Sequence, residues 1–255
     1  MITYPILMYH GIHDTISDNG NYDSIYSVSI NNFREQLDWL ISHNYKTISI
    51  HNAINNHDLK NQVVITFDDG DISNYLIALP LLHERNMSAE FFITTNNINK
   101  HGFVKSAHIK ELEDAGMSVQ SHTATHRYLS DLSSSEIYNE LINSKSSLEN
   151  ILRSKVDILS LPGGRGSSQV INIARNLGFK AICTSHMGHN TDISNPFNLC
   201  RHTVYRKTNI NEFNSIVTGK GFYQNKIIWR QRLLSFPKYI LGNTRYDKLR
   251  GLIIR

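Results

Sequence analysis

Val63-Val64-Ile65-Thr66-Phe67-Asp68-Asp69-Gly70 is the stretch that decides how this chain is read. Five β-prone residues run without a break into two adjacent carboxylates, so a buried strand delivers Asp68 and Asp69 at its carboxyl end. Barrel enzymes build their active sites at that end. Taken alone, Asp-Asp-Gly reads equally well as a polar turn. Neighbouring carboxylates repel each other, however, unless one binds a cation and the other stays free to take a proton.

Working outward, β-rich runs recur at Tyr4–Tyr9, Lys46–Ile50, Ala89–Ile93, Ser118–Ser121, Ile158–Leu161, Lys180–Cys183 and Arg201–Tyr205. Helical spacing separates them: Phe33, Leu37, Leu40 and Ile41, then Leu76, Leu79 and Leu82, then Ile137, Leu141, Leu148 and Leu152. Ser133-x-x-Glu136 reads as a capping box, and Gly116 and Gly178 stand where helices end. About eight such units without a Pro/Gly/Ser-rich linker predict one α/β domain, and a barrel is the natural closure for that many parallel strands.

At 255 residues and 40% hydrophobic content the chain is too apolar for disorder and long enough for a large core. Two cysteines, Cys183 and Cys200, are too few for a disulfide framework. The amino terminus lacks both the basic leader and the long apolar run of a secretory signal. A cytoplasmic protein is the expectation, or a mature form whose leader has been removed. From Lys226 to Arg255 eight Lys/Arg face one acid, whereas the rest of the chain carries 18 bases against 21 acids. Such a balance argues against nucleic-acid binding and places any attraction to phosphate or anionic lipid at the carboxyl end.

A second strand end carries imidazoles, because Ser118-Val119-Gln120-Ser121 runs into His122-Thr123-Ala124-Thr125-His126. On a helical turn this spacing would put both rings on one face. Among 13 histidines one such pair is weak evidence by itself. Joined to a carboxylate, two imidazoles make a divalent-metal set that leaves positions open for water and substrate.

Thr66-Phe67-Asp68-Asp69-Gly70 followed by Ser121-His122-Thr123-Ala124-Thr125-His126 resembles, without gaps, the first two motifs of the polysaccharide deacetylase (NodB-like, carbohydrate esterase 4) family. The resemblance runs from about Tyr4 to about Gly219. It implies a distorted (β/α) barrel of about seven to eight parallel strands over residues 1–220, with 221–255 as a basic amphipathic extension. It also implies Asp68 as general base, and Asp69, His122 and His126 as ligands to zinc or to Co, Ni or Mn. The activity it implies is removal of N-acetyl groups from the amino sugars of a surface polysaccharide or its lipid-linked precursor.

Two departures from the family pattern matter. The third motif usually reads Arg-x-Pro-aromatic-Gly, but here Ser160-Leu161-Pro162-Gly163-Gly164-Arg165-Gly166 puts Ser160 where the arginine belongs and Gly163 where the aromatic belongs. Arg165 could swing back to steady Asp68, and the Gly163 N–H could serve an oxyanion. The usual carboxyl-terminal Leu-x-His motif is also missing. Leu7-Met8-Tyr9-His10-Gly11 resembles its permuted form in poly-N-acetylglucosamine deacetylases, which makes His10 the general acid. His189 and then His186 compete for that role. Arg201, heading the last strand, could pair with Asp68, bind substrate or form a surface salt bridge.

From Phe222 to Leu252, aromatics and aliphatics alternate with Lys/Arg. They could dock on the barrel, or contact a membrane surface on its cytoplasmic face or a glycosyltransferase. The readings that compete with N-deacetylation are an O-acetyl esterase or cyclic-amide hydrolase on the same scaffold, and a catalytically impaired glycan-binding protein.

Overall fold

A computed structural model describes residues 2–16, 20–55 and 59–220. The basic segment 221–255 lies outside the described residues, and with it the expected membrane or glycosyltransferase contact. In chain order the elements are β1 (Thr3–Tyr4), β2 (Ile6–Tyr9), α1 (Ile30–Ser42), β3 (Lys46–Thr47), α2 (Ile50–Asn55), β4 (Gln62–Phe67), α3 (Leu79–His83), β5 (Glu90–Ile93), α4 (Ser106–Asp114), β6 (Ser118–Ser121), α5 (Ser134–Glu149), β7 (Ile158–Ser160), α6 (Ser168–Asn176), β8 (Ala181–Cys183), β9 (Asn190–Thr191), β10 (His202–Thr203) and α7 (Ile210–Thr218).

Seven of these strands pair in parallel in the order β10-β2-β4-β5-β6-β7-β8, and β3 joins the start of β4. The sheet curls because one stretch touches both of its edges. Leu199 bridges Cys183 in parallel, and three residues later His202 pairs with Leu7. Arg201 lies between these two attachments, so its side chain is carried into the curl. No helix among the described residues is long and apolar enough to cross a membrane.

Strand alternation sorts side chains to the two faces. Leu7, Tyr9, Val63, Ile65, Phe67, Phe91 and Ile93 point outward into one large core with Phe33, Leu37 and Leu40 of α1. Ile6, Val64, Phe92, Ile158, Ala181 and Cys183 form a separate inner cluster. Continuing the inward period places Thr66, Asp68 and Ser160 inside the curl, and all three are buried. Burying polar groups in that position is costly unless they pair with one another.

Local signals set the element ends as expected in several places. Ser133 and Glu136 make the reciprocal capping box that starts α5, and Gly116 and Gly178 take the left-handed conformation, with φ of 80° and 82°, that stops α4 and α6. Three expectations need correcting. The run Lys46–Ile50 is a strand only at Lys46–Thr47, because Ile50 already opens α2. The last strand is confined to His202–Thr203, because Leu199 is drawn to β8 and the Arg201 N–H to the His186 carbonyl just beyond it. The helix holding Leu76 begins as a π turn at Asn74–Ala78 before α3, and β1 pairs antiparallel with β9, which the sequence did not suggest.

Glu90, at the amino end of β5, is fully buried and accepts the Ile50 N–H at 2.7 Å. Burial pushes its carboxyl up, ahead of the hydrogen bonds from Ser118 and Ile50 that pull it down. A raised native value gives stability that is complete below the unfolded pKa of about 4.3 and is lost as pH rises through the native one. Glu90→Gln is therefore expected to melt higher than the wild type at pH 8, with the gap closing on acidification. A wild type that melts higher at pH 8 would show that Glu90 is stably ionised.

Candidate metal centre and active site

Asp69, His122 and His126 converge from the ends of β4 and β6. One ligand atom from each lies within 4.8 Å of the others; Asp69 Oδ1 is 3.4 Å from His122 Nε2 and 3.2 Å from His126 Nε2. The His122 ring is oriented by Nδ1, which sits 2.9 Å from the Ser160 carbonyl. A carbonyl only accepts, so Nδ1 carries a proton, and Nε2, the atom facing Asp69, is the one left to bind a metal ion. Asp69 Oδ1 is buried without a well-aligned hydrogen-bond donor among the described residues. That orphaned oxygen between two imidazole nitrogens fits a divalent ion, and the N,N,O donor set suits zinc.

The two histidines do not share a helical turn, contrary to the spacing argument. Residues 122–128 form a loop in which Thr123 and His126 both have positive φ, 65° and 64°. Asp69 does the same at 77°. Left-handed backbone at non-glycine residues is costly and gathers at functional sites. Here it brings the His126 ring to 4.9 Å from His122, centre to centre.

Asp68 faces inward beside this set, with Oδ2 3.9 Å from His122 Nε2. Its partner is Arg201, only 1% exposed. Nη1 and Nη2 each donate to one carboxylate oxygen at 2.7 Å. The other guanidinium donors reach Ser160 Oγ at 2.8 Å, Thr66 Oγ1 at 3.2 Å and the Thr184 carbonyl at 2.9 Å. Burial pushes the Asp68 carboxyl up, but the Arg201 charge, His122 and the Arg201 hydrogen bonds outweigh it and hold it below its ordinary value. Of the three readings of Arg201, pairing with Asp68 is what the geometry shows, and the pair is buried. Ser160 leaves room for the guanidinium and hydrogen bonds with Asp68 Oδ2 at 3.2 Å.

Arg165 does not swing back to Asp68. Its guanidinium lies 4.0 Å from the Tyr128 ring centre. Gly163 has φ 61° and ψ 12°, and a side chain there would strike Tyr128 at 2.7 Å. His189 is also misplaced as a competitor for the acid: its ring meets the Ile216 carbonyl at 2.7 Å and Thr3 Oγ1 at 3.3 Å, at the start of β1 rather than at a strand's carboxyl end. His186 Nδ1 is 3.4 Å from Asn198 Oδ1. His10, by contrast, lines one small cleft with Asp69, Tyr26 and Phe103. Its ring centre lies 4.7 Å from that of Tyr26, and its buried Nδ1 has no hydrogen-bond partner among the described residues.

Supports for this cleft escaped the sequence reading. Asp71 accepts from Ser73 and Asn21 and pairs with the fully buried His13 at 3.2 Å, fixing the loop that carries Tyr26. Arg206 donates from the other side to the carbonyls of His13, Asp14 and Ser27. The visible signal was a third aspartate directly after Asp-Asp-Gly. Glu140 was a further signal, a charge at i+3 from Ile137 on the apolar stripe of α5.

A curled parallel sheet with an Asp/His/His set at its strand ends defines a class of hydrolase scaffold, and the sequence model of the polysaccharide deacetylase family matches residues 55–182, half of the chain. The chain belongs to that family. It is 30% identical over 189 residues to the YxkH protein of Bacillus subtilis (strain 168), spanning 72% of this chain and 65% of that one. It is 25% identical over 173 residues to the poly-beta-1,6-N-acetyl-D-glucosamine N-deacetylase of Staphylococcus aureus (strain MRSA252), spanning 61% of this chain and 60% of the relative. The match thus spans less than two thirds of either relative. Among solved structures, the Streptococcus pyogenes deacetylase PplD in complex with acetate superposes with a TM-score of 0.77 at 26% identity, covering 85% of this chain and 98% of that one.

Proposed function

We propose that this protein hydrolyses N-acetyl groups on the amino-sugar units of a polysaccharide or its lipid-linked precursor, with Asp69, His122 and His126 holding a divalent ion and Asp68 as general base. The observation that carries this reading is the buried Arg201–Asp68 fork beside the Asp/His/His set. A divalent ion bound there polarises an acyl carbonyl and makes water at the site more acidic. Asp68, kept ionised by Arg201, takes the proton of the attacking water. The Gly163 N–H is assigned to the developing oxyanion. An amine does not leave as its anion, so His10 donates the proton that the sugar nitrogen needs. Acetate and the free amino sugar are the products.

The similarity to the Staphylococcus aureus enzyme supports a poly-N-acetylglucosamine type of substrate. The catalytically impaired reading rests on two absences, the third-motif arginine and the carboxyl-terminal histidine motif. Against the first, Arg201 donates to both oxygens of Asp68, which supports the base; against the second, His10 is assigned as the acid.

Acetate release from N-acetylglucosamine oligomers tests the assignment, run beside an aryl acetyl ester whose phenolate leaves unprotonated. Asp68→Asn is expected to lower both activities by about 10²–10⁴. His10→Ala should lose amide hydrolysis on the same scale and keep most ester hydrolysis. Wild-type activity confined to esters would transfer the assignment to O-acetyl groups, and a fully active His10→Ala would remove His10 as the acid.

A further inference from the structure

We propose that Glu140 of α5 is the positioning residue that sets the geometry of the His122–His126 ligand loop, acting through the backbone of Ala124 and Thr125. This rests on the reading that Asp69, His122 and His126 hold a metal ion. Glu140 lies on the packed face of α5 with Ile137, Leu141, Ser144 and Leu148. A carboxylate on that stripe is only 7% exposed, a position that charged side chains rarely take unless they are paired. No cation pairs with it among the described residues; its partners are all in the loop between the two histidines. Oε2 accepts the Ala124 N–H at 3.0 Å and the Thr125 N–H at 2.8 Å, and Oε1 accepts the Thr125 hydroxyl.

Glu140 thereby answers a specific structural demand. The loop cannot be helical, because Thr123 and His126 have positive φ on either side of Ala124 and Thr125. Its N–H groups therefore have no helical carbonyl partners, and one carboxylate collects two of them. The rest of the loop is tied in the same layer: Thr123 N–H donates to Ser121 Oγ at 3.2 Å, Ser121 Oγ meets Ser144 Oγ at 2.8 Å, and His126 N–H donates to Thr123 Oγ1 at 3.1 Å. Glu140 and Ser144, one helical turn apart, thus reach the end of β6 and the loop beyond it together. His122 is oriented separately through Ser160. His126 is the ligand that depends on Glu140, because its side chain is 43% exposed and has no other anchor of that kind among the described residues.

The test compares wild type with Glu140→Ala, Glu140→Gln and Thr125→Val, each stripped of metal and titrated with Zn²⁺ against a chromophoric chelator. The visible bands of the Co²⁺-loaded proteins are recorded alongside, and circular dichroism of the metal-free proteins monitors folding. Glu140→Ala is expected to weaken Zn²⁺ binding by about 10–100-fold and to change the Co²⁺ bands, the scale typical of lost outer-shell support. Glu140→Gln keeps an acceptor for both N–H groups and should recover most of the affinity. Thr125→Val, an exposed and milder change, should weaken binding by a few-fold and shift the same bands, which keeps the proposal testable if Glu140→Ala does not fold. Zn²⁺ affinity and Co²⁺ bands unchanged in the folded variants would overturn the role of Glu140 and leave the metal reading intact. A wild type that takes up neither ion would overturn both.

Discussion

Arg201→Met is expected to destabilise the protein by about 3–5 kcal/mol at pH 7, the usual consequence of removing one partner of a buried ion pair. The figure is large because no other group makes a direct, two-bond ion pair with Asp68 among the described residues. All of the guanidinium donors are used inside the curl, two of them on Asp68 itself. Without them a carboxylate only 3% exposed is left with the Ser160 hydroxyl and His122. Asp68 is held below its ordinary value in the wild type, so its contribution is present above the unfolded pKa of about 3.9 and fades as pH falls through the native value. The penalty of Arg201→Met should accordingly be full at pH 7 and shrink in strong acid. Urea unfolding of the two proteins at several pH values measures it. A difference below about 1 kcal/mol at pH 7 would mean the pair is not the buried fork described here. In surviving enzyme the acid limb of the rate profile should move to higher pH, because the largest influence opposing burial at Asp68 is then gone. Arg201→Lys should fall between, since a point charge cannot reproduce two parallel bonds.

Much of the centre is legible in the sequence because it sits at strand ends. An unbroken β-prone run fixes where Asp68 and Asp69 emerge, and Ser118–Ser121 does the same for His122. Partnerships formed across the fold are not legible in that way. Arg201 reaches Asp68 over a separation of 133 residues, and only the double attachment of the 199–203 stretch to β8 and β2 directs it inward. Arg165 is near Ser160 in sequence, yet it lies against Tyr128. Spacing alone also misled at His122 and His126, where an i, i+4 separation suggested a helical face and the chain uses left-handed backbone instead. Glu140 and Asp71 were visible as anomalies, a charge on an apolar stripe and a third aspartate after two. What they bind is decided by neighbouring elements.

Position 160 holds a serine, and the guanidinium against Asp68 comes instead from Arg201, just before β10. Ser160 Oγ accepts from Arg201 Nη2 at 2.8 Å, so the two side chains meet beside Asp68.

Asp69→Ala is the second change with a large expected effect, on turnover rather than on stability. Asp69 supplies the only carboxylate of the ligand set and the orphaned oxygen at its centre. Its removal leaves two imidazoles, one of them 43% exposed, too few to hold a catalytic ion tightly. Acetate release should fall to background while the fold persists, because Asp69 is only partly buried and the Asp68–Arg201 fork is untouched. The most direct test of the metal centre is to strip the wild type with a chelator and titrate it with Zn²⁺ while following acetate release from N-acetylglucosamine oligomers. Activity should be lost on stripping and return to a plateau at about one ion per chain, with no return in Asp69→Ala. Full turnover in the stripped protein, or equal recovery in Asp69→Ala, would contradict the assignment of Asp69, His122 and His126.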